Sequence, residues 1–208
     1  MKKNYKIIFL AFSFLFLGYY ISQYKSLILD YLFTKNKTEI LFIGDSITQE
    51  CEWKLLLSRI DVKNMAIGGY TTRDLLDSNY IQVINKVEPS VIFVMIGFND
   101  FYQSRSVEEV KKDYLNLLNK IDTENRKIII QSTLYSLPNK FRDQVDDLNK
   151  FLIELSLKRG YVYLDLNAKL SDNERLIKKY TYDGIHLSRE AYKLWSEEIQ
   201  LILNQFNL

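Results

Sequence analysis

Ile40-Leu41-Phe42-Ile43-Gly44-Asp45-Ser46-Ile47-Thr48 is an apolar run that ends in a glycine turn and delivers a serine. A short, unbroken apolar run reads as a parallel strand buried on both faces, and the C-terminal ends of such strands are where open α/β sheets place their ligand crevice. The strand is then a rigid mount from which the Ser46 hydroxyl emerges. A serine hydroxyl is a weak nucleophile near neutral pH. It needs an adjacent base, usually an imidazole, and that base needs a group to fix its tautomer. The chain has one histidine, His186, far downstream in Asp183-Gly184-Ile185-His186. Ser46 and His186 together therefore point to catalysis by an activated serine.

Working outward from 40–43, further short runs rich in β-branched or aromatic residues occur at 62–66, 91–96, 127–131 and 161–166, giving five candidate parallel strands. Segments 107–121 and 145–158 carry apolar residues at three- and four-residue intervals, and 188–206 closes the chain as a further amphipathic helix. The alternation predicts an α/β domain. Gly44, Gly68, Gly69, Gly97 and Gly184 all fall just after predicted strands or in the histidine loop. They mark one edge of the sheet as the place where backbone turns tightly and functional loops gather.

At 208 residues and 47% hydrophobic, the chain is long enough for one well-buried domain. Net charge is +2, but Lys2, Lys3, Lys6 and Lys25 against Asp30 leave the remainder close to neutral. No basic block interrupts that balance, which argues against a nucleic-acid partner. Cys51 is the sole cysteine, so the sequence holds neither a disulfide framework nor a Cys/His set with metal-ligand spacing. Its expected role is a small buried hydrophobe rather than a reactive thiol. The chemistry proposed for Ser46 requires no metal or organic cofactor.

Residues 7–21 form a charge-free apolar stretch flanked by lysines. Its length lies between a signal-peptide core and the roughly 20 residues of a membrane-spanning helix. Tyr19, Tyr20, Ile21 and Gln23 leave no small-x-small cleavage pattern, which favours an uncleaved hydrophobic helix as anchor over a cleaved signal peptide. Tyr19, Tyr20 and Tyr24 suit an interfacial belt, and the lysines would stay cytoplasmic with the remainder outside. The expected organisation is 1–30 lysines plus anchor, 31–38 linker and 39–208 catalytic domain, extracytoplasmic and membrane-anchored, or secreted if the segment is cleaved.

Gly44-Asp45-Ser46-Ile47, Asn64-Met65-Ala66-Ile67-Gly68-Gly69, Gly97-Phe98-Asn99-Asp100 and Asp183-Gly184-Ile185-His186 resemble the four ordered blocks of the SGNH/GDSL hydrolases, over roughly residues 39–205. The resemblance implies a flavodoxin-like three-layer α/β/α fold with a central parallel sheet. It makes Ser46 the nucleophile, His186 the general base and then acid, and Asp183 the group that orients His186. Elementary chemistry agrees: imidazole titrates near neutrality, and a carboxylate three residues away can share one short loop with it. The oxyanion hole implied by the family comprises backbone N–H groups at Ser46 and Gly69 and the Asn99 side-chain amide. Ile47 stands in place of leucine, and Ala66 in place of the first glycine of block two. Asp45 and Asp100 are read as fixing their loops, not as catalytic carboxylates. Trp53, Tyr70 and Phe98 lie beside the blocks as candidates for the cleft lining, with packing the other role open to aromatic residues there.

These readings converge on an esterase that works through an acyl-serine and removes acetyl or other short acyl groups from small-molecule or glycan esters outside the cytoplasm. Alternatives are transfer of the acyl group to a glycan, which would need a multispanning partner to deliver the donor, and a lysophospholipase or thioesterase at the bilayer. A non-catalytic binding module on the same fold is a further alternative.

Overall fold

The computed structural model describes residues 38–122 and 126–208. The expected anchor, linker start and interfacial tyrosines lie outside the described residues. Among the described residues no helix is long and apolar enough to cross a membrane.

Strand β1 (Ile40–Gly44) is buried along its whole length, as its composition requires. It pairs in parallel with β2 (Val62–Asn64) on one side and β3 (Val91–Met95) on the other. β4 (Lys127–Gln131) and β5 (Val162–Leu164) follow, giving a five-stranded parallel sheet in the order β2-β1-β3-β4-β5. Side-chain alternation divides the sheet between two cores. Ile40 and Phe42 face Trp53, Trp195 and Ile199, whereas Leu41 and Ile43 face Ile84, Tyr114, Leu148 and Leu152. Helices therefore cover both faces, the three-layer arrangement expected from the sequence. Residues Thr38–Leu208 form one compact unit.

Helices α1 (Ser46–Gln49) and α2 (Trp53–Leu56) follow β1 directly. Next in chain order come α3 (Ser78–Val87), α4 (Phe98–Tyr102), α5 (Val107–Ile121), α6 (Arg142–Arg159), α7 (Asn167–Leu170) and α8 (Arg189–Gln205). Local chemistry sets several ends. Ser106 and Glu109 form a reciprocal capping box at the start of α5, and α6 stops at Gly160 in the left-handed conformation, φ +69°. A two-stranded antiparallel ribbon, β6 (Ser171–Asp172) with β7 (Arg175–Leu176), precedes the histidine loop.

Strands β2 and β5 end before their apolar runs do, and side chains hold the backbone beyond them. Asn64 Oδ1 accepts the Ala66 N–H at 3.1 Å while Asn64 Nδ2 donates to Thr48 O at 2.9 Å, tying the end of β2 to α1. Ser132 Oγ accepts from Leu166 N at 3.0 Å, and Asp165 Oδ1 from Asn167 N at 3.1 Å, so the chain after Leu164 turns into α7.

Candidate active site

The strand order reverses direction between β1 and β3, and the crevice at such a switch point lies outside the C-terminal strand ends. Ser46 follows β1, Gly69 follows β2 and Asn99 follows β3. At Gly44 an added Cβ would collide with the Met95 carbonyl oxygen and lie 2.7 Å from Thr48 Oγ1, so only glycine lets β1 turn this closely beside β3. Asp45 Oδ1 then caps α1 by accepting the Ile47 N–H at 3.1 Å. The Tyr192 hydroxyl, from α8, donates to Ile47 O at 2.7 Å and ties α1 to the helix that follows the histidine loop.

That loop is closed on itself. Thr181 Oγ1 donates to His186 O at 2.7 Å and accepts the Gly184 N–H at 2.8 Å. Gly184 takes φ +97° with an added Cβ only 3.2 Å from Pro138, and its carbonyl accepts the Leu137 N–H at 2.7 Å. The result brings together residues 140 positions apart: Ser46 Oγ lies 2.9 Å from His186 Nε2. His186 Nδ1 lies 2.6 Å from Asp183 Oδ2, and Asp183 Oδ1 accepts the Ile185 and His186 N–H groups at 2.9 and 2.8 Å. Burial opposes the Asp183 charge, but these hydrogen bonds outweigh it and hold its carboxyl below the usual carboxylate range. An ionised Asp183 keeps the proton on Nδ1, leaving the Nε2 lone pair to accept the Ser46 hydroxyl hydrogen.

The remaining predicted residues lie just after β2 and β3. An added Cβ at Gly68 would lie 3.7 Å from Ser46 Cβ, placing the glycine pair beside the serine. Gln49 Oε1 takes the Gly68 N–H at 2.8 Å, whereas among the described residues no protein group takes the Gly69 N–H. Gly69 has φ +78° with open space where a side chain would stand. Asn99 Nδ2 donates to Tyr70 O at 3.0 Å, which fixes the amide next to that loop.

Asp100 is fully buried, accepting from Thr72 N and Oγ1 at 2.9 and 2.7 Å and pairing with Arg105. It braces the Asn99 turn. Two expectations for the cleft are corrected. Trp53 is 2% exposed, stacked on Phe42 at 4.1 Å, with its indole N–H on Thr48 O, and is core packing beneath the site. Phe98 is likewise buried, in the core on the other face. Tyr70 is part-buried and contributes its carbonyl to Asn99. Cys51 is buried, and burial pushes its thiol well above its ordinary value.

Three residues at the mouth were not singled out from sequence: Gln49, Glu50 and Tyr182. Glu50 Oε1 is 4.0 Å from His186 Nε2, and the Tyr182 ring lies nearly parallel to the imidazole, 14° apart with centroids at 5.8 Å. Their positions, Gln49 and Glu50 at the end of α1 and Tyr182 directly before Asp183, were the available signal.

A five-stranded parallel α/β/α sheet with a serine, an imidazole and a carboxylate in hydrogen-bonded series at its C-terminal edge defines the class of serine-dependent acyl hydrolases. A profile of the GDSL-like Lipase/Acylhydrolase family matches residues 42–194, and the chain belongs to that family, an ester-hydrolysing one. The chain is 28% identical over 181 residues to N-acylneuraminate cytidylyltransferase of Streptococcus agalactiae serotype III, covering 84% of this chain and 40% of that protein. It thus spans well under half the length of that relative. Platelet-activating factor acetylhydrolase IB subunit alpha1 of Rattus norvegicus is 29% identical over 166 residues, covering 74% of this chain and 70% of that one. Among solved structures, a GDSL-like lipase from Bacteroides thetaiotaomicron superposes with a TM-score of 0.69 at 15% identity, covering 82% and 90% of the two chains. A carbohydrate esterase family 3 protein from Talaromyces cellulolyticus gives 0.67 at 15% identity, covering 81% and 97%. Both share the fold.

Proposed function

We propose that the protein is an extracytoplasmic esterase that removes acetyl or other short acyl groups from glycan esters through an acyl-Ser46 intermediate. The hydrogen-bonded series from Ser46 Oγ through His186 to Asp183 carries the reading. Ser46 Oγ attacks the ester carbonyl carbon as its proton passes to His186 Nε2. The carbonyl oxygen becomes an oxyanion facing the Ser46 and Gly69 N–H groups and the Asn99 amide. Such donors act on charge that develops only in the transition state, and losing one typically costs about a hundredfold in rate. Collapse breaks the bond to the alcohol oxygen, which takes the proton from Nε2 and leaves as the alcohol. Water, deprotonated by the same nitrogen, then attacks the acyl-serine and releases the carboxylic acid with Ser46 restored.

A short acyl group is supported by the relatives named for acetyl hydrolysis, and a sugar substrate by the relative named for N-acylneuraminate. The location rests on the apolar, lysine-flanked residues 7–21.

The test is initial rates on p-nitrophenyl acetate and p-nitrophenyl palmitate, together with acetate release from acetylated cell-surface polysaccharide. A strong acetate preference and release from polysaccharide are expected; hydrolysis confined to long-chain lipids would contradict the proposal.

A further inference from the structure

Glu50 is not needed for the relay just described, yet it is held in place beside it. Its backbone N–H donates to Ser46 O at 3.0 Å as α1 ends. The Tyr182 hydroxyl donates to both carboxylate oxygens, at 3.1 Å to Oε1 and 3.0 Å to Oε2, while the Tyr182 ring rests against the His186 imidazole. The carboxylate is oriented but not consumed, because two oxygens offer about four lone-pair sites. The Glu50 side chain is 38% exposed, so it faces the cleft mouth rather than the core.

The groups around Ser46 divide by chemistry. The Gly69 N–H, which no described protein group takes, and the Asn99 amide are donors suited to the carbonyl oxygen. His186 Nε2, Glu50 and Tyr182 form a second group. The leaving oxygen must take its proton from Nε2, so the alcohol half of the ester lies beside this second group, within reach of Glu50. Glu50 Oε1 is 4.0 Å from Nε2. An atom one hydrogen bond from Nε2 and its neighbour one hydrogen bond from Oε1 close that gap, given hydrogen-bond lengths of about 2.7–3.0 Å. A hydroxyl vicinal to the ester oxygen has the required separation.

We propose that Glu50, clamped by Tyr182, is a specificity-determining residue that accepts a hydrogen bond from a hydroxyl vicinal to the scissile ester, selecting monoacylated vicinal diols such as those of sugar rings. The vicinal hydroxyl keeps its own proton throughout, and the leaving oxygen is protonated by His186 Nε2. The same negative charge disfavours alcohols that carry an anionic group beside the ester. The inference rests on the acyl-Ser46 reading and adds the alcohol-side chemistry to it.

The test compares kcat/KM of the full chain in nonionic detergent for 2-hydroxyethyl acetate and 2-methoxyethyl acetate, which differ in the ability of the second oxygen to donate. A hydrogen bond to a charged acceptor predicts a preference for the hydroxyl ester of about tenfold or more. Glu50→Ala is expected to collapse that ratio towards one while lowering p-nitrophenyl acetate turnover far less. Tyr182→Phe, which leaves Glu50 in place but unclamped, is expected to reduce the ratio part of the way. Equal kcat/KM for the two esters in the native chain, or a loss in Glu50→Ala by the same factor on every substrate, overturns the inference alone. A native chain inactive on all three esters overturns the acyl-serine reading beneath it.

Discussion

Asp45 shares the turn with Ser46 and is almost wholly out of solvent, at 3% exposure. Burial pushes its carboxyl up to about 7, against the opposing hydrogen bond from the Ile47 N–H. An acid whose folded pKa is raised keeps its proton in the native state while the unfolded chain has already released it. Between about pH 4 and 7 the native state therefore binds the extra proton, and this site contributes stability that declines as pH rises through that window and levels off above it. Asp45→Asn keeps an acceptor for the Ile47 N–H and removes the charge. Urea unfolding is expected to show the variant more stable than the native protein by about 2–4 kcal/mol at pH 8, with the difference vanishing near pH 4. A pH-independent difference would contradict this. At this scale the sequence was most legible in Ser46, His186 and Asp183, which the structure brings within hydrogen-bond distance of one another in series. It was least legible where residue type is silent about direction. Trp53 and Phe98 carry the composition of a cleft wall but point into the two cores. Glu50 meets His186 only after the fold has joined segments 136 residues apart.

The loops after β1, β2 and β3 are held by side chains that belong to other loops. Asp100, after β3, takes two hydrogen bonds from Thr72, after β2, and pairs with Arg105, which also donates to Asp113 on α5 at 2.5 Å. Arg105 is 7% exposed and Asp100 0%, so the pair is buried. Removing Asp100 takes away one of the two carboxylates on a buried guanidinium and the acceptor of both Thr72 donors. Asp100→Ala is thus expected to lower stability by about 3–5 kcal/mol in urea unfolding, with Asp100→Asn losing less because it can still accept from Thr72. A loss below about 1 kcal/mol for Asp100→Ala would show that the network braces nothing. Periodicity read α5 from sequence because a capping box and a regular apolar stripe agree there. It missed α3, a ten-residue helix in which only Ile81 and Ile84 are buried and the cap is the Asp77 side chain. It also overran β2 and β5, beyond which Asn64 and Ser132 hold the chain through side-chain contacts that hydropathy does not encode.

Across the whole domain, the parallel order β2-β1-β3-β4-β5 puts three successive strand ends beside one crevice, and the closing segment before α8 folds back to supply the imidazole. Glycine placement disclosed that edge in advance, since Gly44, Gly69 and Gly184 serve a close strand approach, an open N–H and a tight loop respectively. The strand order itself came only with the structure, because pairing is a long-range property and the apolar runs do not state their neighbours. The central claim is that this convergence makes Ser46 the acyl acceptor. The most direct measurement is rapid quenching of the protein during turnover of p-nitrophenyl acetate, followed by peptide mass analysis. One acetyl group on the peptide that contains Ser46, absent from Ser46→Ala, is the predicted result; an acetyl group elsewhere, or native turnover by Ser46→Ala, would contradict it.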